Sequence, residues 1–343
     1  MKLRNISTLV LSAALGGLSF ASAQEAAAPA ATKLQVYVQL PKEKPTQMLI
    51  EKADADGKFY YTQRGTDQQM AADPDSCRLF FIQTPTDLAD VITAYQEGDL
   101  EKARKEAASC RRKYAAFSTL PGNPASVAAV YELTCIIRLM DWGALAKRVE
   151  DFPSPKSLTG PQQARVDAAA IMANISDDAA SFKKQQKAIG ELLKDKKFAA
   201  SLNSEIYSWL RYALGRATAA QIPADKQATT LSAEDAVIAN DAIDNYCQCA
   251  MSAHGLNMDE IPADAMLRAM KLLWVMPGVQ DYAAKAKAPM DAKTWGAAPP
   301  NFRDAVVMAY MLKNVYGPEQ PDETVAKLAE LYYNTAKDSA ADK

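Results

Sequence analysis

The chain has 343 residues, of which 49% are apolar and 23% are charged, a balance typical of a globular protein that can bury a sizeable core. Its 39 Lys and Arg residues against 41 Asp and Glu residues give a formal net charge of −2. This near-neutral balance supplies no electrostatic reason to expect nucleic acid or an anionic membrane as a partner.

The N-terminal residues 1–23 have the three parts of a secretory signal peptide. Lys2 and Arg4 form a basic start, an apolar run covers 9–20, and the small residues ASA at 21–23 form a cleavage site. The apolar run is shorter than the ~20 residues of a membrane-spanning helix, so a cleaved signal is favoured over an uncleaved anchor. We therefore expect an exported protein, periplasmic or extracellular, with no transmembrane segment after signal cleavage.

Residues 24–33 form an Ala/Pro-rich leader that we expect to be disordered, because it has too few bulky side chains to pack. Residues 34–84 are predicted to form a small β module. Apolar residues alternate along the chain from Leu34 to Leu40, which is the period of a half-buried strand. Three further strands are predicted at 48–51, 59–62 and 77–82. A module of about fifty residues is near the lower limit of independent stability, so it should pack on the helices that follow.

Residues 86–338 are predicted to be almost wholly helical, and 339–343 to be a disordered tail. Proline and glycine mark the breaks between the helical segments. The predicted helices cover 86–97, 100–115, 124–140, 142–151, 161–174, 177–194, 202–219, 232–253, 260–276, 302–315 and 322–337. Successive helices joined by short loops lie antiparallel and adjacent, which makes a bundle or a solenoid. We interpret the fold as mainly α, an antiparallel helical-hairpin solenoid behind the β module.

The helical hairpin with the clearest sequence pattern runs from Leu88 to Tyr114. Apolar residues recur there at helical spacing on both sides of Gly98-Asp99. Glycine can adopt the backbone angles that end the first helix, and aspartate can cap the exposed amides that begin the second. The sequence therefore predicts a tight joint at Gly98-Asp99.

The segment Gly98-Asp99-Leu100-x-x-Ala103 resembles the centre of a tetratricopeptide-type hairpin, and Met140-Asp141-Trp142-x-x-Leu145 is a looser second copy. The spacing between the two copies is longer than in that family. The run from Ala94 to Gly160 is also similar to exported bacterial helical-repeat proteins of uncharacterised function, in which a short β leader precedes tetratricopeptide-like helices. These resemblances imply an exported protein in which a short β leader precedes tetratricopeptide-like helices, and they identify no catalytic residues.

Five cysteines in an exported chain invite disulfides, and their odd number leaves at least one unpaired within a monomer. If the helix after Gly98 folds back on the next one, Cys135 lies ~9 Å beyond the residues opposite Cys110, outside bridging range. We expect both to be small core residues. A redox or metal-binding pair at Cys247-x-Cys249 is disfavoured, because such positions face different sides of a helix. The disulfide state of Cys77, Cys247 and Cys249 stays open.

Enzymatic chemistry has little support in the sequence. The single histidine, His254, excludes a histidine metal cluster and makes a hydrolase triad improbable, and its place before Gly255 is typical of a helix end. Asp54-Ala55-Asp56-Gly57 resembles part of a calcium loop, but Lys52 and Gln63 fall at two ligand positions, so a hairpin turn is favoured. We predict no catalytic residue, cofactor site or metal site.

The most charged run lies between Lys102 and Lys113, where interleaved glutamates favour a solvated helix face over a binding patch. The segment Tyr207-Ser208-Trp209-Leu210-Arg211-Tyr212 is the candidate partner-binding site, because aromatic residues and arginine are common anchors of interfaces. On a helix, Tyr207 and Arg211 share one side, while Trp209 and Tyr212 share another. The alternative is that this helix buries opposite sides between two neighbours.

The sequence thus favours an exported, non-enzymatic protein-interaction scaffold whose helical-repeat surface binds a protein or peptide partner. One alternative is a secreted factor that contacts a host cell-surface protein or glycan. A second is a carboxylate-dependent hydrolase of envelope glycans, which requires two acidic residues facing each other across a cleft.

Overall fold

The structure is a computed structural model that describes residues 32–62, 68–152, 157–175, 179–228, 230–253, 260–288, 290–316 and 322–333. The predicted signal peptide, most of the leader, the C-terminal tail and His254 lie outside the described residues. The chain from Lys33 onward forms one compact unit.

The N-terminal part is a five-stranded antiparallel sheet with the order β4-β3-β2-β1-β5. The strands are β1 (Leu34–Gln39), β2 (Thr46–Ala53), β3 (Phe59–Thr62), β4 (Gln69–Ala72) and β5 (Leu79–Ile82). The four predicted strands are confirmed, with small differences at their ends. Strand β4 was not predicted, because its sequence QMAA contains no β-branched or aromatic residue.

The DADG segment forms the hairpin turn between β2 and β3. Gly57 has a φ of +84°, which is favourable only for glycine, and its amide donates to the Asp54 carbonyl at 3.1 Å. The Asp54 carboxylate accepts hydrogen bonds from the amides of Asp56 and Lys58 at 3.0 and 2.9 Å. The turn interpretation is therefore confirmed, since the Asp54 carboxylate holds the turn closed by hydrogen bonds to its own backbone amides.

The sheet packs on the first helices through one face. The side chains of Leu34, Val36 and Val38 are buried there, in a core shared with residues of the following helices such as Val91 and Phe117. Each such buried side chain contributes roughly 1.5–3 kcal/mol relative to an exposed one. A module this small is stabilised by that shared core.

The described residues contain fourteen α-helices. They are α1 (Thr86–Gln96), α2 (Leu100–Lys113), α3 (Pro124–Arg138), α4 (Trp142–Glu150), α5 (Gly160–Ala173), α6 (Ala179–Lys194), α7 (Lys196–Ser201), α8 (Ser204–Ala219), α9 (Ala233–Ala253), α10 (Glu260–Trp274), α11 (Val279–Ala283), α12 (Ala292–Ala297), α13 (Pro300–Asn314) and α14 (Glu323–Glu330). All eleven predicted helices are confirmed, and α7, α11 and α12 are additional. The predicted last helix is too long, because α14 ends at Glu330 and residues 331–333 are not helical, while 334–337 lie outside the described residues. The ring of Tyr332 stacks on that of Tyr310 with centroids 4.0 Å apart.

The joint between α1 and α2 has the predicted form. Gly98 has a φ of +82°, and the Asp99 carboxylate caps α2 by accepting from the Lys102 amide at 3.1 Å. The joint between α3 and α4 repeats it, with Met140 at φ +53° and Asp141 accepting from the Ala144 amide at 3.1 Å. A methionine thus occupies the left-handed conformation that glycine occupies in the first joint.

The backbone hydrogen bonds of the two joints also correspond one to one. The amides of Asp99 and Asp141 donate to the carbonyls of Ala94 and Ile136, five residues earlier in each case. The similarity read from the sequence at these two places is therefore a similarity of backbone conformation.

A second and larger core joins the later helices. Helix α8 lies between α9 on one side and α5 and α6 on the other, and α10 continues from α9 to α13. The largest buried side chains of this core are Trp209, Tyr212, Tyr246 and Phe302.

Candidate functional site

Two of the four candidate binding residues, Tyr207 and Arg211, lie together on one partly exposed face of α8. The Arg211 guanidinium sits 4.9 Å from the centre of the Tyr207 ring. Tyr207 donates its hydroxyl to the Gln248 side chain at 3.0 Å, and Arg211 donates to the Asn245 side chain at 3.1 Å. Both side chains are thus held against α9 while part of each remains accessible.

The other two candidates, Trp209 and Tyr212, are fully buried. The Tyr212 ring lies 6.0 Å from that of Trp142 and 6.3 Å from that of Tyr246. Its hydroxyl donates to the Asp264 carboxylate at 2.5 Å, and burial raises its pKa. A partner cannot reach either side chain in this conformation, so we assign both to packing between α8 and its neighbours.

A cleft of about 540 Å³ opens beside Arg211, where α6 and α9 flank α8. Its apolar lining comes from Phe182, Ile189 and Leu193 of α6, Leu214 of α8 and Ile238 of α9. Its polar lining is Gln186, Arg211, Thr218, Gln221, Asp241, Asp244, Asn245 and Gln248. Each of the three helices thus contributes both apolar and polar side chains to the lining, which is typical of a site for an amphipathic ligand.

The rim on α9 carries two acidic residues one helical turn apart. Asp241 and Asp244 are exposed, and neither forms an ion pair within the part of the chain that the structure describes. Arg211, the one basic lining residue, is already bonded to Asn245. Because Asn245 is neutral, Arg211 keeps its charge, and the lining carries two carboxylates against one guanidinium, a net charge of −1 with both carboxylates on α9.

The α6 wall of the cleft contains a glycine in the interior of the helix. Outside its chain neighbours and the local backbone of α6, a Cβ atom built on Gly190 would meet no described atom within 4 Å. Gly215 of α8 is different, because a Cβ there would come within 2.7 Å of the Tyr246 ring. Close packing explains Gly215, whereas no contact within the described chain explains Gly190, which weakens α6 by roughly 1 kcal/mol relative to alanine.

A smaller cavity of about 220 Å³ lies where α1, α3 and α5 meet, between the rings of Tyr95 and Tyr131 and the Arg165 side chain. Behind it, the buried Glu205 of α8 accepts from the Tyr95 hydroxyl at 3.3 Å and from two nitrogens of Arg165 at 3.1 and 2.5 Å. Burial raises the pKa of Tyr95 to about 12, so its hydroxyl stays protonated as a donor. This network compensates the buried carboxylate and ties α1 and α5 to α8.

A cleft of about 360 Å³ between α5 and α7 is lined by two carboxylates, Asp167 and Asp195. Burial raises the pKa of Asp167, whose carboxylate accepts from the Gln163 amide at 2.7 Å. Hydrogen bonds from the Phe198 and Lys197 amides hold the pKa of Asp195 below its usual range. The two carboxylates of this cleft therefore have pKa values shifted in opposite directions, which is a feature of paired acid–base groups.

All five cysteines are free thiols, which confirms that Cys110 and Cys135 do not bridge. Burial raises the pKa of every one of them, to about 11 for Cys110 and about 12 for Cys135 and Cys249. A thiol with a raised pKa is a poor nucleophile at neutral pH. The Cys247-x-Cys249 pair therefore lacks the lowered pKa of a redox site.

Within the described ranges, no group of three or more His, Cys, Asp or Glu side chains could hold a metal ion. None of the helices described is both long and apolar enough to cross a bilayer. No family model matches the chain, and neither curated proteins nor solved structures gave a match. The tetratricopeptide resemblance therefore rests on the residues of the two joints alone.

Proposed function

We propose that the chain is an exported, non-enzymatic interaction protein that binds a protein or peptide in the cleft between α6, α8 and α9. The observation that carries this proposal is the cleft itself, with apolar side chains from all three helices, Arg211, and two acidic residues on α9 that form no ion pair among the described residues. The sequence pattern of a signal peptide supports export to the periplasm or outside the cell.

We further propose that the helical hairpins form a tetratricopeptide-like solenoid. The matching backbone hydrogen bonds at Gly98-Asp99 and Met140-Asp141 support this, because a repeat unit should reproduce its joint. Contacts from α3 to α5 and from α5 to α8 also support a continuous row of helices.

Affinity capture with the signal-less protein from envelope extract and host epithelial extract, in parallel, would test the proposal. The variant Gly190→Trp should abolish capture, because the indole would project into the cleft from a position with free space around it. Lys187→Trp is the matched control, since Lys187 is exposed on the same helix and does not line the cleft. Equal capture by both variants would refute binding in this cleft, and partners found only in the host extract would favour a secreted host-contacting factor.

A second candidate function is carboxylate-dependent glycan hydrolysis, favoured by the oppositely shifted pKa values of Asp167 and Asp195 in one cleft. Its test is turnover of peptidoglycan or mucin glycans by the wild-type protein and by Asp167→Asn. Absence of turnover, or equal turnover by both, would eliminate this pair as catalytic residues.

A further inference from the structure

The cleft between α6, α8 and α9 has the dimensions of a groove for one short helix. Its lining extends along α9 from Ile238 to Gln248 and along α6 from Phe182 to Leu193, so each wall is about 15 Å long at the rise of an α-helix. Helix α8 contacts both α6 and α9 and adds Arg211, Leu214 and Thr218 to the lining. A partner helix of about ten residues, or three turns, would match this length.

The apolar and charged lining residues specify two faces of such a helix. Leu193, Leu214 and Ile238 line the groove, are at least partly exposed, and offer apolar contacts to one face. Asp241 and Asp244 lie one turn apart at the rim and have no ion-pair partner among the described residues. Positive side chains spaced one turn apart on the occupant would meet both carboxylates.

Gly190 supplies a third and independent feature. Glycine in a helix interior is unfavourable, and within the described chain no neighbouring atom requires its small size. Its exposed backbone lies in the α6 wall of the groove. The absence of a side chain there allows a second backbone to approach more closely than any other residue would permit.

We propose that the groove binds a basic amphipathic α-helix of a partner protein. Its apolar face contacts the apolar lining of the groove, its Lys or Arg side chains pair with Asp241 and Asp244, and its backbone passes over Gly190. This inference rests on the proposed function and specifies the chemistry of the partner.

The test uses a synthetic helical probe and the full signal-less protein. The probe is a capped peptide of about 18 residues, long enough to be helical in water, with leucines on one face and lysines flanking them. Two control peptides carry glutamate in place of lysine, or the same composition in an order without an apolar face. Fluorescence anisotropy should show saturable binding of the lysine peptide and none of either control.

The variant Asp241→Asn/Asp244→Asn should weaken binding of the lysine peptide about tenfold, because exposed ion pairs contribute modestly and two are lost. It should also reduce the dependence of Kd on salt concentration. The matched control is Asp90→Asn/Glu97→Gln, which removes the same charge from two exposed positions, one in α1 and one directly after it, and should leave Kd unchanged. Equal Kd values for the two double variants would overturn the proposal.

Gly190→Ala should weaken binding at least about fivefold, as a methyl group forced into a close contact does. The same substitution should raise the melting temperature, because alanine favours the helix. Weaker binding and greater stability in one variant exclude unfolding as the cause. Unchanged binding would overturn the close backbone approach.

Other outcomes separate this inference from the proposed function. If the glutamate peptide binds and Gly190→Trp prevents that binding, the groove is a peptide site, but the proposed basic character of its partner helix is wrong. If sedimentation shows a dimer that Gly190→Trp dissociates, a second copy of this chain occupies the groove, and the proposal of a separate partner protein is wrong. If no peptide binds and Gly190→Trp captures partners like wild type, both proposals fail.

Discussion

Replacement of Trp209 by alanine should destabilise the protein severely, because this side chain is fully buried in the core around α8. Truncating a buried tryptophan to alanine costs about 3–5 kcal/mol, through lost transfer free energy and the cavity left behind. Trp209→Phe should cost much less, since the indole nitrogen has no hydrogen-bond partner among the described atoms and an aromatic ring is kept.

The assay is urea unfolding followed by far-UV circular dichroism, with Tyr207→Ala as the comparison. Tyr207 is partly exposed and would lose mainly its hydrogen bond to Gln248, worth about 1 kcal/mol. The expected order of destabilisation is therefore Trp209→Ala well above Tyr207→Ala. A Trp209→Ala protein with an unchanged unfolding midpoint and lost partner capture would refute the packing assignment and restore Trp209 as a surface anchor.

Three further results should follow. Gly98→Ala should lower the free energy of unfolding by about 1 kcal/mol, because alanine is strained at a φ of +82°. Gly190→Ala should raise that free energy, because alanine favours the helix and has free space there. The melting temperatures of the two variants should therefore shift in opposite directions. Asp167→Asn should be more stable than wild type at neutral pH. Because burial raises the native-state pKa of Asp167, its ionised form costs stability above that pKa, and the advantage of asparagine should fade as the pH falls through it; an equal advantage in acid would contradict this sign. The cysteines should react slowly with a thiol reagent in the native protein and fully in denaturant, and rapid native labelling of Cys249 would contradict its burial.

The sequence predicts most of the helices because their start and stop signals are local. Asp99, Asn123 and Asp141 each cap the helix that follows through a side-chain oxygen, and each is recognisable without tertiary information. The helices α7, α11 and α12 have six residues or fewer, which is too short for the 3.6-residue period to become visible. Their position depends on contacts with longer helices.

The candidate site was less accessible to sequence reasoning. The pattern around Trp209 separates two faces of α8 but does not reveal which face has a neighbour, because that depends on where α5, α6 and α9 lie. Asp241 and Asp244 look like ordinary solvent-facing residues of α9 until the cleft beside them is seen. Gly190 did carry a signal, since glycine in the interior of an otherwise strong helix requires a reason.

The strand order has a consequence for how the chain folds as it is made. Strand β1 lies between β2 and β5, yet β5 begins ~40 residues after β1 ends, so this inner strand is synthesised long before its second partner. Until β5 arrives, one edge of β1 is unpaired and able to bind strands of other nascent chains. Helical hairpins such as α1–α2 need only adjacent sequence and can form at once. The sheet is therefore the part of this protein most exposed to misassembly during synthesis.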